Sequence, residues 1–143
     1  MINIEMARDY MFRSKRFLME AKRALDEGDN ATAVRRSQES LELAVKALLR
    51  AVGIEYPRSH DVSDVLLDQR SVLPGNIRSR VEELATLVSQ LASIRGIALY
   101  GYEREGIPAS KAFSGEYAEK TFLAVKKYLE LIEKSLRDAG VLK

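Results

Sequence analysis

From Ile4 to about Glu27, and again from Asn30 to Val52, apolar residues return every three or four positions, with only Gly28 and Asp29 between the two runs. That spacing lines one face of an α-helix. Gly28 suits the left-handed turn that ends a helix, and Asp29 or Asn30 can cap the next one. So short a connection forces two long antiparallel helices, an αα-hairpin. The first carries Ala7, Tyr10, Met11, Phe17, Leu18, Ala21 and Leu25 in register. The second has a large stripe (Val34, Leu41, Val45, Leu48, Val52) and a small one (Ala33, Ser37, Ser40, Ala44, Ala47, Ala51). Small residues let another helix come close, so the second helix is expected to be central, with partners on two sides. The same two faces make a homodimer an expectation.

Gly53 closes the second helix, and Pro57 holds Tyr56 out of the helical region. Ser59 or Asp61 can cap a short helix ending near Asp68. After Leu73-Pro74-Gly75, a further helix is predicted from about Asn76, with Ile77, Val81, Leu84, Val88, Leu91 and Ile94 on one face. The stretch from Gly96 to Ser114 contains Gly101, Gly106 and Pro108 and reads as a fraying helix end that becomes a loop. A last helix is predicted from about Gly115 to Ala139, aligning Ala118, Phe122, Val125, Leu129, Ile132 and Leu136, with Gly140 as its stop. No strand pattern or repeat competes with these. The expected fold is all-α: one domain over residues 1–143, an up-and-down helical bundle of four long helices and one short one.

Composition removes several classes of chemistry. With no cysteine among 143 residues, disulfide scaffolds, thiolate metal sites and thiol catalysis are excluded. A single histidine, His60, excludes multi-histidine metal sites, and no metal or other cofactor is expected. The formal charge of +2 is too small to argue for nucleic acid by itself. The opening Met1-Ile-Asn-Ile-Glu-Met has no basic stretch followed by an apolar one, and no run approaches the roughly 18 apolar residues of a membrane span. A cytoplasmic protein without a membrane association is expected.

The carboxylate pairs Glu82-Glu83, Glu103 with Glu105, and Glu130 with Glu133 lie among lysines and arginines and read as solvated surface. The basic residues of the first two helices are diluted by interleaved acids, among them Glu20, Glu39 and Glu42. His60, beside Asp61, reads as a residue that ties its loop rather than as a catalyst. The segment Arg95-Gly96-Ile-Ala-Leu-Tyr100-Gly101-Tyr102 is the most unusual one. A guanidinium with nearby phenols suits gripping a phosphate and stacking on a base. In a continuous helix, however, Arg95 and Tyr100 lie about 140° apart, so they converge only if the helix loosens near Gly96 or ends before Gly101. The competing reading has Arg95 capping a helix end and the tyrosines completing the core.

Three stretches together carry a resemblance. They are the second helix from Ala33 to Leu49, the turn Gly53-Ile-Glu-Tyr-Pro57-Arg-Ser-His60-Asp61, and Arg95-x4-Tyr100-Gly101 followed by Pro108 and Tyr117-Ala118. In this order and spacing the chain resembles HEPN domains, from about Met6 to Leu136, and in its Arg…Tyr segment the stand-alone archaeal and bacterial members. The resemblance implies a nucleotide- or RNA-binding helical module acting as a homodimer. It also implies a separately encoded minimal nucleotidyltransferase as partner, in a toxin–antitoxin-like pair. Arg95, Tyr100, Tyr102 and His60 would form the ligand site. Ribonuclease members place a His a short spacer after the Arg, where this chain has Tyr100 to Tyr102. A phenol, with an unperturbed pKa of about 10, is a poor proton acceptor at neutral pH. A metal-independent ribonuclease or toxin built on Arg95 and Tyr100, or on His60, is therefore the alternative to binding without catalysis.

Overall fold

The hairpin forms around its caps. In a computed structural model describing residues Met1–Lys143, α1 (Ile4–Asp26) starts at Asn3, whose side chain accepts the Met6 amide. α2 (Asn30–Val52) starts at Asp29, whose carboxylate accepts the Thr32 amide. Gly28 turns the chain between them at φ +76 and Gly53 ends α2 at φ +78, a left-handed backbone that costs a glycine nothing.

α2 is the centre of the molecule and touches α1 along most of its length. Its small stripe allows the close approach: Ala33, Ala44 and Ala47 have no exposed surface. Where the helices meet, the Ser14 hydroxyl donates to the Ser40 carbonyl (2.9 Å) and the Ser40 hydroxyl donates to the Ser14 carbonyl (2.7 Å). Two buried hydroxyls are thus satisfied without water, which the interior requires of any buried polar group. Leu41, Val45 and Leu48 of the large stripe enter one apolar cluster with Tyr128, Leu129 and Ile132 from α8 (Gly115–Asp138), a helix capped by the Ser114 side chain, while Val34 packs in a smaller cluster with Ala24, Ala98 and Ala118. Arg8 Nε donates to the Val141 carbonyl at 2.7 Å, fastening α1 to the chain's last residues.

Between these long helices the chain is more segmented than its apolar spacing suggests. α3 (Ser63–Asp68) leads into a single 3-10 turn at Arg70–Val72. The helix expected from Asn76 is divided into α4 (Gly75–Arg78), α5 (Val81–Ser93) and α6 (Arg95–Tyr100). Arg80 leaves helical geometry at φ −122, ψ 13, and Ile94 does so at φ −100, ψ 2. Ile77, Val81, Leu84, Val88 and Leu91 remain buried across the first break, so the periodicity continues where the backbone does not. The expected loop contains α7 (Ala109–Ala112), after Pro108.

The fold is the all-α bundle that the periodicity predicts, with no named strand and one isolated bridge, Tyr102 with Ile107. No helix is long and apolar enough to cross a membrane. α2 touches α1, α5, α6, α7 and α8 within one chain. Both of its stripes are therefore covered internally, and pairing with a second copy has to use other surfaces.

Candidate functional site

On the side of α2 facing α6, Gln38, Glu42 and Lys46 follow one another at four-residue intervals and so form a polar row on one helix face. Glu42 is its hub. Its Oε1 accepts from Gln38 Nε2 at 2.9 Å and its Oε2 from Lys46 Nζ at 2.9 Å. His60 Nδ1 lies 3.0 Å from Oε1 and 3.2 Å from Oε2. Arg95 Nη1 donates to Gln38 Oε1 at 2.6 Å and stands 3.7 Å from Glu42 Oε1.

Each arm of this cluster is fixed from behind. Arg35 Nη1 donates to the Arg95 carbonyl at 2.8 Å and so holds the first residue of α6. Lys46 Nζ also donates to the Ser59 carbonyl at 2.8 Å, which draws the loop carrying His60 against α2. Lys46 and Arg50 lie over the Tyr56 ring at 5.5 and 5.3 Å, a cation–π clasp on the same loop. Asp61 accepts the Ser63 amide at the start of α3, so the neighbour of His60 is used as a cap.

Burial by itself pushes the Glu42 carboxyl up, because it disfavours the charged form. The hydrogen bonds from Lys46, Gln38 and His60, together with the Lys46 charge, outweigh burial and hold Glu42 below the usual carboxylate range. An ionised carboxylate can only accept, so the proton between it and the imidazole sits on His60 Nδ1, and Nε2 is the ring nitrogen that Glu42 leaves unengaged. The His60 side chain is 56% exposed and that of Arg95 22%, against 14% for Glu42. A buried carboxylate thus presents a half-covered guanidinium and an open imidazole edge to solvent. No group of three or more His, Asp or Glu side chains is arranged to hold a metal ion.

Of the four residues expected at the site, Arg95 and His60 come together through Glu42. Tyr100 and Tyr102 lie further along. α6 is unbroken from Arg95 to Tyr100, so the two stay about 140° apart around the axis, and the Arg95 hydrogen bond goes to Gln38 rather than to Tyr100. The backbone loosens at Ile94, ahead of Arg95 rather than between it and Tyr100, and α6 ends at Tyr100, just before Gly101, too late to turn the two together. Tyr100 is 64% exposed. Tyr102 exchanges backbone hydrogen bonds with Ile107 at 2.8 and 3.0 Å. Gly101 makes that reversal at φ +75, where a Cβ would fall 2.2 Å from the Ile107 carbonyl oxygen. Leu99, Tyr100, Tyr102 and Ile107 form an exposed apolar edge on this segment. Gln38, Glu42 and Lys46 join the site without standing out in the sequence, because they share α2 with Arg35, Arg36, Glu39 and Arg50.

Of the carboxylates expected at the surface, Glu82, Glu83, Glu103, Glu105 and Glu130 are exposed, Glu83 pairing with Lys127 at 3.0 Å and Glu82 lying 3.4 Å from Arg70, whereas Glu133 is 21% exposed and held by Lys15 and Arg137. In comparison with known proteins, the family model for the HEPN domain matches residues 7–135. No curated protein and no solved structure matches the chain.

Proposed function

The chain belongs to the HEPN domain family, and from that premise we propose that it is a nucleotide- or RNA-binding module whose ligand is gripped between α2 and α6. The observation that carries this reading is the Glu42 carboxylate shared by Arg95 and His60. It orients a guanidinium that has one N–H committed to Gln38, and the remaining donors suit the forked geometry of a phosphate. Tyr100 and Tyr102 offer exposed ring faces further along for a base to stack on. In this reading the module acts as a homodimer that brings two Arg95 sites, with their tyrosines, to one cleft. Its catalytic partner is a separately encoded minimal nucleotidyltransferase, in a prokaryotic toxin–antitoxin-like pair in the cytoplasm.

The test is the affinity of the pure protein for nucleotides and single-stranded RNA at low salt. Arg95→Ala is expected to weaken it by about tenfold or more, as loss of a charge-assisted phosphate contact does. Unchanged affinity would remove Arg95 from the site. Light scattering at micromolar protein checks the dimer, and a monomer there counts against it.

One observation favours a second reading, a metal-independent ribonuclease. The chain's single imidazole is held on the same carboxylate as Arg95, so a group able to move protons stands beside one able to stabilise phosphate charge. Cleavage of single-stranded RNA by the pure protein, lost in both Arg95→Ala and His60→Ala, would establish it.

A further inference from the structure

A second surface has no part in that binding role. Between α1 and α8 runs a trough made of three cavities of about 420, 280 and 540 Å³. Adjacent cavities share Met11, Lys15 and Glu133 at one junction and Leu18, Met19 and Lys126 at the other, so the trough is continuous. It spans Arg8 to Glu27 of α1, about 28 Å of helix at 1.5 Å per residue. Its floor is buried and apolar, with Met11, Phe122 and Leu129 all at most 6% exposed. Its edge is apolar but solvated: Phe12 is 75% exposed and Met19 66%. These two are seven residues apart and so lie on the same side of α1. Single exposed apolar residues need no explanation, but two in helical register along a groove mark a contact surface.

The charge of the trough defines what can fill it. Seven lysines and arginines line it against four carboxylates, a net +3 where the whole chain carries +2. Three of the carboxylates are already engaged: Asp26 by Lys22, Glu27 by Arg23, and Glu133 by Lys15 and Arg137. A second copy joined symmetrically would lay one net-positive wall against another. A bilayer surface would meet the Phe12 and Met19 edge but leave the recessed floor unfilled. An apolar floor between two parallel ridges with cationic rims matches a helix whose flanks are acidic. We propose that the α1–α8 trough docks an acidic amphipathic helix of a partner protein.

The probe is a synthetic amphipathic peptide of roughly 20 residues, long enough to run the trough, with Leu on one face and Glu on the others. A control peptide carries Lys in place of every Glu. The Glu peptide is expected to bind the full chain and the Lys peptide not to. The double variant Phe12→Ala/Met19→Ala is expected to weaken binding by about tenfold or more, as loss of apolar anchors does. Lys126→Glu is expected to weaken it further while leaving nucleotide and RNA affinity unchanged. Both apolar side chains are exposed, so an unchanged melting temperature separates lost binding from lost fold. Three outcomes would overturn the proposal. The Glu peptide could fail to bind, or bind no better than the Lys peptide. The protein could bind phosphatidylserine vesicles through Phe12 and Met19, which would make the face a membrane surface. Or the same double variant could split a dimer, which would make a second copy the occupant.

Discussion

α2 meets its neighbours along two seams of opposite character. Against α1 it uses alanines and serines, and Ser40 and Ser14 each close a buried hydroxyl onto the other's backbone carbonyl. Against α6 it uses Gln38, Glu42 and Lys46, long side chains that reach groups from elsewhere and leave part of those groups exposed. The first seam pairs Ser14 with Ser40 internally, leaves the Ser37 hydroxyl buried without a partner, and serves only to hold the bundle. The second is joined through Glu42, and two of its members have edges facing water. Within one helix, the step from short to long polar side chains separates a surface that packs from one that can bind.

Substitutions can break this contrast, beginning with the largest effect. Leu48→Ala removes a side chain with no exposed surface from the main cluster. It should cost about 2–5 kcal/mol in chemical denaturation, as core leucine truncations do. Gly101→Ala should cost about 2 kcal/mol or more, because it puts a Cβ into a left-handed backbone and against the Ile107 carbonyl. If the phenols serve the ligand, RNA affinity should fall with it even where the protein remains folded. Ser40→Ala should cost about 1 kcal/mol, the worth of one hydrogen bond, by removing the donor to the Ser14 carbonyl. A cost near zero would show that the first seam depends on close packing alone.

The smallest effect is the most specific to the second seam. Because the Glu42 carboxyl is held below its ordinary value in the folded chain, the unfolded chain binds the proton more readily. The stability it contributes is therefore complete above the usual carboxylate range and is lost as pH falls through the lowered folded value. Glu42→Gln should flatten the acid limb of a stability–pH curve, while Ser40→Ala should leave its shape unchanged.

How far the sequence discloses each seam follows from the same contrast. Caps, glycines and apolar spacing are local signals, so α1, α2 and α8 fall where Asn3, Asp29 and Ser114 start them. The breaks at Arg80 and Ile94 are less legible because the buried positions keep helical spacing through the first of them. Glu42 is less legible still. In sequence it is one acid among several on a charged helix, and it becomes a hub only when His60 arrives from 18 residues away and Arg95 from 53. Arg95 and His60 could be singled out by their rarity and setting; the carboxylate that joins them could not.

The reciprocal serine crossing joins positions 26 residues apart, whereas Arg95 reaches Gln38 across 57. Contacts that close shorter loops cost less chain entropy and tend to form earlier. The α1–α2 hairpin is thus placed to assemble ahead of the α2–α6 seam, and the arginine reaches its carboxylate after the hairpin has formed. In hydrogen exchange, α6 amides should open locally while α2 amides wait for global unfolding. A ligand held by Arg95 would slow α6 first, coupling occupancy to an element that docks after the hairpin is in place.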